Sequence, residues 1–169
     1  MKIKSLICLL VCLIVALASS LFAQVPTQSN ELYVGAIANT DVTDNVKVSG
    51  QYAKLISGQP DEALSMYMVT NYDMSGIQFK PLNLSSMQYT AVEALEMILW
   101  KPMPWLGVLG SGGAGVNGVQ NTTTGFAATG ATGLKFIRGA FRAKIYGQAI
   151  KTTANTVKVE ARFYIGVKF

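Results

Sequence analysis

The chain of 169 residues contains no histidine, and its two cysteines, Cys8 and Cys12, both lie near its start. Only 14% of its residues are charged. Each shortage removes a class of function. Imidazole is the side chain that ordinarily exchanges protons near neutral pH, so hydrolytic constellations built on it are excluded. No spacing of Ser, Lys or carboxylates suggests a substitute, and the sequence reads as non-enzymatic. With no thiol after Cys12 and no imidazole, the body of the chain can form neither a disulfide nor a soft metal site. The 14 Lys+Arg exceed the 9 Asp+Glu, but the surplus is scattered, which argues against nucleic acid as a partner. The longest apolar run, Leu6 to Leu17, is too short to cross a bilayer as a helix.

That run has a different meaning. Lys2 and Lys4 precede it and small residues follow it, which is the layout of a secretory signal peptide. Cleavage is expected after Ala23, with Ala18 as the second choice and an uncleaved anchor as the alternative. No cysteine follows the apolar run, so a lipid-modified N-terminus is not expected. The expected organisation is therefore a signal peptide over residues 1–23 and one domain over residues 24–169.

The rest is rich in glycine and threonine and punctuated at short intervals. Segments 31–39, 45–56, 63–79, 88–100, 105–116, 124–138, 140–151 and 157–169 are separated by turn chemistry such as "SGQPDE", "KPMP" and "TTAN". Eight strand-length segments without an alternating helical pattern predict an all-β antiparallel meander. Segment 88–100, "QYTAVEALEMILW", is the exception. Its Ala, Leu, Glu and Met favour a helix, and as a strand it would place Glu93 and Glu96 on opposite faces, one of them toward lipid or a rim.

The last two segments carry the clearest pattern. Phe141, Ala143, Ile145, Gly147 and Ala149 alternate with Arg142, Lys144, Tyr146 and Gln148. Val157, Val159, Ala161, Phe163, Ile165, Val167 and Phe169 alternate with Lys158, Glu160, Arg162, Tyr164, Gly166 and Lys168. Period two marks strands with one apolar and one polar face. A soluble sandwich turns the apolar face inward, whereas a transmembrane barrel turns it outward to lipid.

A final amphipathic strand ending on Phe resembles the C-terminal signature of bacterial outer-membrane β-barrel proteins. Phe169, Val167, Ile165 and Phe163 match its spacing, although that family favours an aromatic where Val167 stands. The resemblance implies a small antiparallel up-and-down transmembrane β-barrel of eight strands, surrounded by outer-membrane lipid. It also implies that the barrel-assembly machinery reads these four residues, and that the protein is monomeric. On that reading Arg142, Lys144, Tyr146, Lys158, Glu160, Arg162 and Tyr164 face the lumen, with Glu160, aided by Glu93, balancing part of the positive charge. An eight-stranded barrel is just wide enough for its side chains to fill. The function implied is membrane integrity or surface contact. The alternatives are an exported soluble β-barrel or sandwich in the periplasm or medium, binding an apolar ligand, and a narrow ion channel.

Three motifs weigh little. Gly110, Gly112 and Gly115 spell G-x-G-x-x-G, but no helix is expected after them and Lys135 stands where the acidic residue belongs. Bends or close backbone approach explain these glycines better, and no cofactor is expected. Asp41 and Asp44 read as solvated turn residues rather than cation ligands. Trp100 and Trp105 flank "KPMP" as interfacial anchors do.

Overall fold

The computed structural model describes residues 29–38, 46–79, 82–83, 88–119, 122–153 and 157–169. Residues 1–23 with both cleavage choices, Asp41 and Asp44 lie outside the described residues. Eight strands build a single sheet: Asn30–Ala38 (β1), Val46–Ser57 (β2), Met66–Phe79 (β3), Gln88–Met103 (β5), Leu106–Val119 (β6), Thr122–Arg138 (β7), Phe141–Thr152 (β8) and Val157–Lys168 (β9). The two-residue strand Leu82–Asn83 (β4) only pairs back onto the end of β3. Every pairing is antiparallel, and β1 pairs with both β2 and β9, so the sheet closes into a barrel with no open edge. Closure leaves every strand with two hydrogen-bonded neighbours, which is what lets strands exist in hydrocarbon.

A closed barrel needs a stagger, and the register supplies it. A walk through paired residues from Val157 passes Lys151, Ala128, Ala114, Glu93, Thr70, Tyr52 and Leu32. It returns to β9 at Val167, ten residues from its start. The main-chain ladder continues one residue past β9, because Phe169 N–H donates to Asn30 O at 2.9 Å and Asn30 N–H to Phe169 O at 3.1 Å.

Segment 88–100 is a strand, and a longer one than its composition suggests. Pairing to β3 on one side and β6 on the other overrides the helix-forming residues. The strand continues through Lys101 and Pro102 to Met103, past two register shifts that absorb the proline. Only Pro104 and Trp105 remain as the turn there. β6 and β7 likewise run into the stretch expected as a loop, ending at Val119 and restarting at Thr122.

Polarity is inverted relative to a soluble fold. Lys135, Lys144 and Glu31 are 0% exposed, while Phe126 is 75% and Trp100 63% exposed. Leu32, Met68, Leu95, Leu99, Ile145, Val159 and Phe163 also face outward. Trp100 and Trp105 stand at the end where β1 begins and β9 finishes, Trp105 stacked on Phe136 at 6.3 Å. Toward the other end Tyr72 stacks on Tyr89 at 6.1 Å. This gives an apolar band between two aromatic borders, around an interior in which buried charged side chains sit beside Val69, Ile98 and Leu109.

Tyrosines fill the middle. The ring of Tyr164 lies across Gly35, and reciprocally the ring of Tyr33 lies across Gly166, so a Cβ at either glycine would overlap the ring. These are cross-strand partners of β1 and β9, the two strands that close the barrel. Aromatic cover over a strand glycine pins register, and here it does so at the seam. Between β7 and β8 a Cβ at Gly133 would meet Ile145 O and the Cα and Cβ of Tyr146 rather than a ring. Gly113 and Gly115 instead let the backbone of β5 approach closely. Gly130 does not fit either account, since nothing lies within 4 Å of a Cβ placed there.

Candidate functional site

The polar interior is the site the fold constructs, and it has three levels. At the end where β1 begins and β9 finishes, the turn 58–65 folds beneath the barrel. Asp61 and Leu64 take left-handed φ angles of 62° and 66° there, conformations uncommon for residues other than glycine. The turn is held by Leu64 N–H donating to Ile98 O at 2.7 Å and Ile98 N–H to Ser65 O at 3.1 Å. Asp61 is thereby driven into the lumen, 6% exposed, with Arg142 at 2.5 Å, Lys135 at 2.9 Å and Lys168 at 3.3 Å. Its backbone N–H donates to Tyr67 Oη at 2.8 Å. Lys135 also donates to both oxygens of Glu31, at 2.6 and 2.9 Å. Burial alone would raise the Asp61 carboxyl, but Lys135 and Arg142 beside it hold it well below the usual carboxylate range.

The middle level centres on Lys144. Its ammonium donates to Glu96 Oε1 at 2.6 Å and Gln51 Oε1 at 2.8 Å, and stands 4.2 Å from the centre of the Tyr33 ring. Gln51 Nε2 in turn donates to Asn71 Oδ1 at 2.8 Å and Tyr146 Oη at 3.0 Å. Tyr146 stacks on Tyr164 at 5.5 Å. Between them these side chains satisfy one another in a space that excludes water, as a buried polar network must.

The third level lies toward the opposite end. Arg162 bridges Asp73 at 2.7 Å and Glu160 at 2.8 Å, and Lys47 reaches Glu160 at 3.3 Å. Ser49 hydrogen-bonds Asp73 and shares a 2.5 Å contact with Tyr164 Oη. Above this level the lumen opens into a cavity of about 310 Å³.

Of the residues singled out from sequence, the fold places Arg142, Lys144, Tyr146, Glu160, Arg162 and Tyr164 inside, all buried. Lys158 also lines the cavity but stays exposed at its mouth. Glu93 does not aid Glu160: it points outward from β5, and the acid that β5 sends inward is Glu96. At the chain's end Phe163 is half exposed and Ile165 less so, but Val167 is only 4% exposed, its neighbours in the ladder being the larger Leu32 and Phe141. Glu31, Lys47, Asp61, Asp73, Glu96 and Lys135 were not anticipated. Lys135 carried a readable signal, since it alternates with Leu134 and Phe136. Asp61 carried none, because it reaches the lumen only through the path of a turn. Gly110, Gly112 and Gly115 lie within continuous β6, with no helix to complete a dinucleotide site.

No family model and no curated protein matches this sequence. Among solved structures, the N-terminal β-barrel domain of Pseudomonas aeruginosa OprF is similar with a TM-score of 0.62 at 12% identity, over 83% of this chain and 97% of that one. The outer membrane protein Ail of Yersinia pestis, determined in a phospholipid bilayer nanodisc, is similar with a TM-score of 0.52 at 12% identity, over 84% of this chain and 99% of that one. Identities this low establish the shared fold, a closed eight-stranded antiparallel barrel.

Proposed function

We propose that this protein is a small, monomeric, non-enzymatic β-barrel of the bacterial outer membrane, with its termini toward the periplasm, serving membrane integrity or surface contact. The observation that carries this reading is the inverted polarity of a closed barrel. Soluble monomers rarely expose contiguous apolar patches beyond a few hundred Å², yet here large apolar side chains face outward on all sides of the barrel while lysines and arginines fill the centre. Reversing the faces in a bilayer would cost about 2–4 kcal/mol for each Lys or Arg brought to the midplane. The fold shared with OprF and Ail supports the same location. In this reading outer-membrane lipid contacts the band, and the assembly machinery reads Phe163, Ile165, Val167 and Phe169 at the seam strand.

Ion pairs on three levels and the tyrosine stack support a filled lumen rather than a conducting one. Fractionation of native cells tests the location. The protein should enter the outer-membrane fraction and migrate faster on a detergent gel when unheated, and planar bilayers containing it should show no steady conductance. Accumulation in a soluble periplasmic fraction would refute the reading.

A further inference from the structure

At the end where β1 begins and β9 finishes, the turns 104–105 and 139–140 frame a groove on the outer face of the barrel. Trp105, Phe136, Ile137, Arg138 and Phe141 line it, and its volume is about 470 Å³. Alternation sends Lys135 into the lumen, so Phe136 and Arg138 face outward, and Phe141 is the cross-strand partner of Arg138. The walls are fixed before anything binds. Ile137 N–H donates to Trp105 O at 2.9 Å, which ties one turn to the other. From the lumen side Arg142 donates to Gly139 O at 2.6 Å and to Phe141 O at 2.7 Å, and Lys168 N–H donates to Ala140 O at 2.8 Å. Trp105 and Phe141 nevertheless stay about half exposed.

Arg138 is exposed at the last position of β7 and makes no hydrogen bond or ion pair among the described residues. Residues 1–28, which precede the described chain at this end, contain no Asp or Glu to pair with it. Glu62, an exposed acid of the same end, is engaged by Lys101 at 2.8 Å. This combination selects the ligand. A soluble anion would leave the aromatic walls bare, and a purely apolar molecule would leave the guanidinium unpaired. An amphiphile with an anionic head and a hydrocarbon tail satisfies both. A guanidinium presents paired donors that match two phosphate oxygens, and a phosphodiester carries one negative charge against the one positive charge of Arg138. A zwitterionic headgroup brings its own cation, which competes for that phosphate. The groove is continuous with the apolar band and lies at its aromatic border, the level of headgroups. We propose that it is a site for one anionic phospholipid of the leaflet this end faces, with the phosphate on Arg138 and the upper part of an acyl chain against Trp105, Phe136 and Phe141. The proposal rests on the outer-membrane reading above and adds a specific lipid to it.

The test uses the full mature chain in lipid vesicles, with the fold checked by heat-modifiable migration. Trp100→Phe leaves Trp105, in the groove wall, as the sole tryptophan. Phosphatidylglycerol brominated near the head of one acyl chain is mixed into phosphatidylcholine, the reverse mixture is measured alongside, and quenching of Trp105 reports which lipid occupies the groove. Phosphatidylglycerol should be preferred by about fivefold, the worth of one arginine beside anionic lipid. Arg138→Gln should bring the ratio close to parity, and Arg138→Lys should keep part of the preference. Lys54→Gln should leave it unchanged, since Lys54 is an exposed cation of the same end but stands on β2, away from the groove. Equal quenching by the two lipids, a preference that survives Arg138→Gln, or one lost equally in Lys54→Gln would each overturn the proposal. Trp105→Phe in the natural background leaves Trp100 as a reporter of insertion outside the groove. Trp100 quenched while Trp105 is shielded from both lipids would mean that a second copy of the chain covers the groove, which overturns the proposal and leaves the outer-membrane reading intact. A folded barrel in which neither tryptophan is quenched would remove both.

Discussion

Removing Glu96 while leaving Lys144 in place is the most informative single perturbation of the lumen. Lys144 is fully buried, and its ammonium has three favourable contacts: the Glu96 carboxylate, the Gln51 amide oxygen and the Tyr33 ring. Glu96→Leu removes the only charged one and leaves a cation held by an amide and a ring. Breaking a buried pair from one side costs about 3–5 kcal/mol, because the remaining charge is uncompensated. The two surviving contacts place this case at about 3 kcal/mol. Lys144→Met should cost a similar amount for the opposite reason. The double variant, with an apolar pair of comparable volume, should recover most of the loss and cost about 1 kcal/mol, giving a coupling of about 5 kcal/mol. Urea unfolding of the detergent-folded protein, followed by the emission of Trp100 and Trp105, would measure all three. A Glu96→Leu variant within about 0.5 kcal/mol of the parent, or a double variant as costly as the two singles combined, would refute the claim that this pair is closed off from water.

Other expectations follow from the same structure. Glu93 faces outward within the apolar band, so Glu93→Leu should raise the unfolding free energy by about 1 kcal/mol, read as a higher urea midpoint; a loss of stability would show that the carboxylate has a partner. The depressed Asp61 carboxyl contributes stability that is fully present above its unfolded value of about 3.9 and is lost only as pH falls through the lower folded value. The stability gap between parent and Asp61→Asn should therefore persist at about pH 4 and close only in stronger acid, and a gap already gone at about pH 5 would contradict a carboxyl held low by Lys135 and Arg142. Deleting Phe169 should sharply lower outer-membrane yield while barely affecting refolding in detergent. A terminal aromatic contributes at most a few kcal/mol, so equal losses in both assays would remove the case for a recognition role.

The sequence made the strands legible wherever alternation was strict, as in β8 and β9, because period two is a local property. It also made the choice of face legible there, once the charged face was placed inside. β5 was harder, since its residues favour a helix and only pairing to β3 and β6 decides otherwise. The same ambiguity misassigned the acids: Glu93 and Glu96 lie three residues apart, and register alone determines which one enters. Charge balance was least legible. Lys144 finds Glu96 from β5, Arg162 finds Asp73 from β3, and Arg142 finds Asp61 from a turn with left-handed residues. Such pairs are fixed by the stagger of a closed barrel rather than by any local spacing.

The direction in which the two faces of β8 and β9 point is the centre of the account, and site-directed spin labelling in lipid vesicles measures it. The natural cysteines, Cys8 and Cys12, both lie within the expected signal peptide, so single cysteines at Ile145, Phe163, Gln148 and Arg162 can be labelled one at a time in residues 24–169. Labels at Ile145 and Phe163 should be mobile and reached by oxygen dissolved in the bilayer. Labels at Gln148 and Arg162 should be immobile and reached by neither oxygen nor a water-soluble quencher. Lipid-like accessibility at Gln148 and Arg162, with Ile145 and Phe163 shielded, would contradict the barrel's inverted polarity.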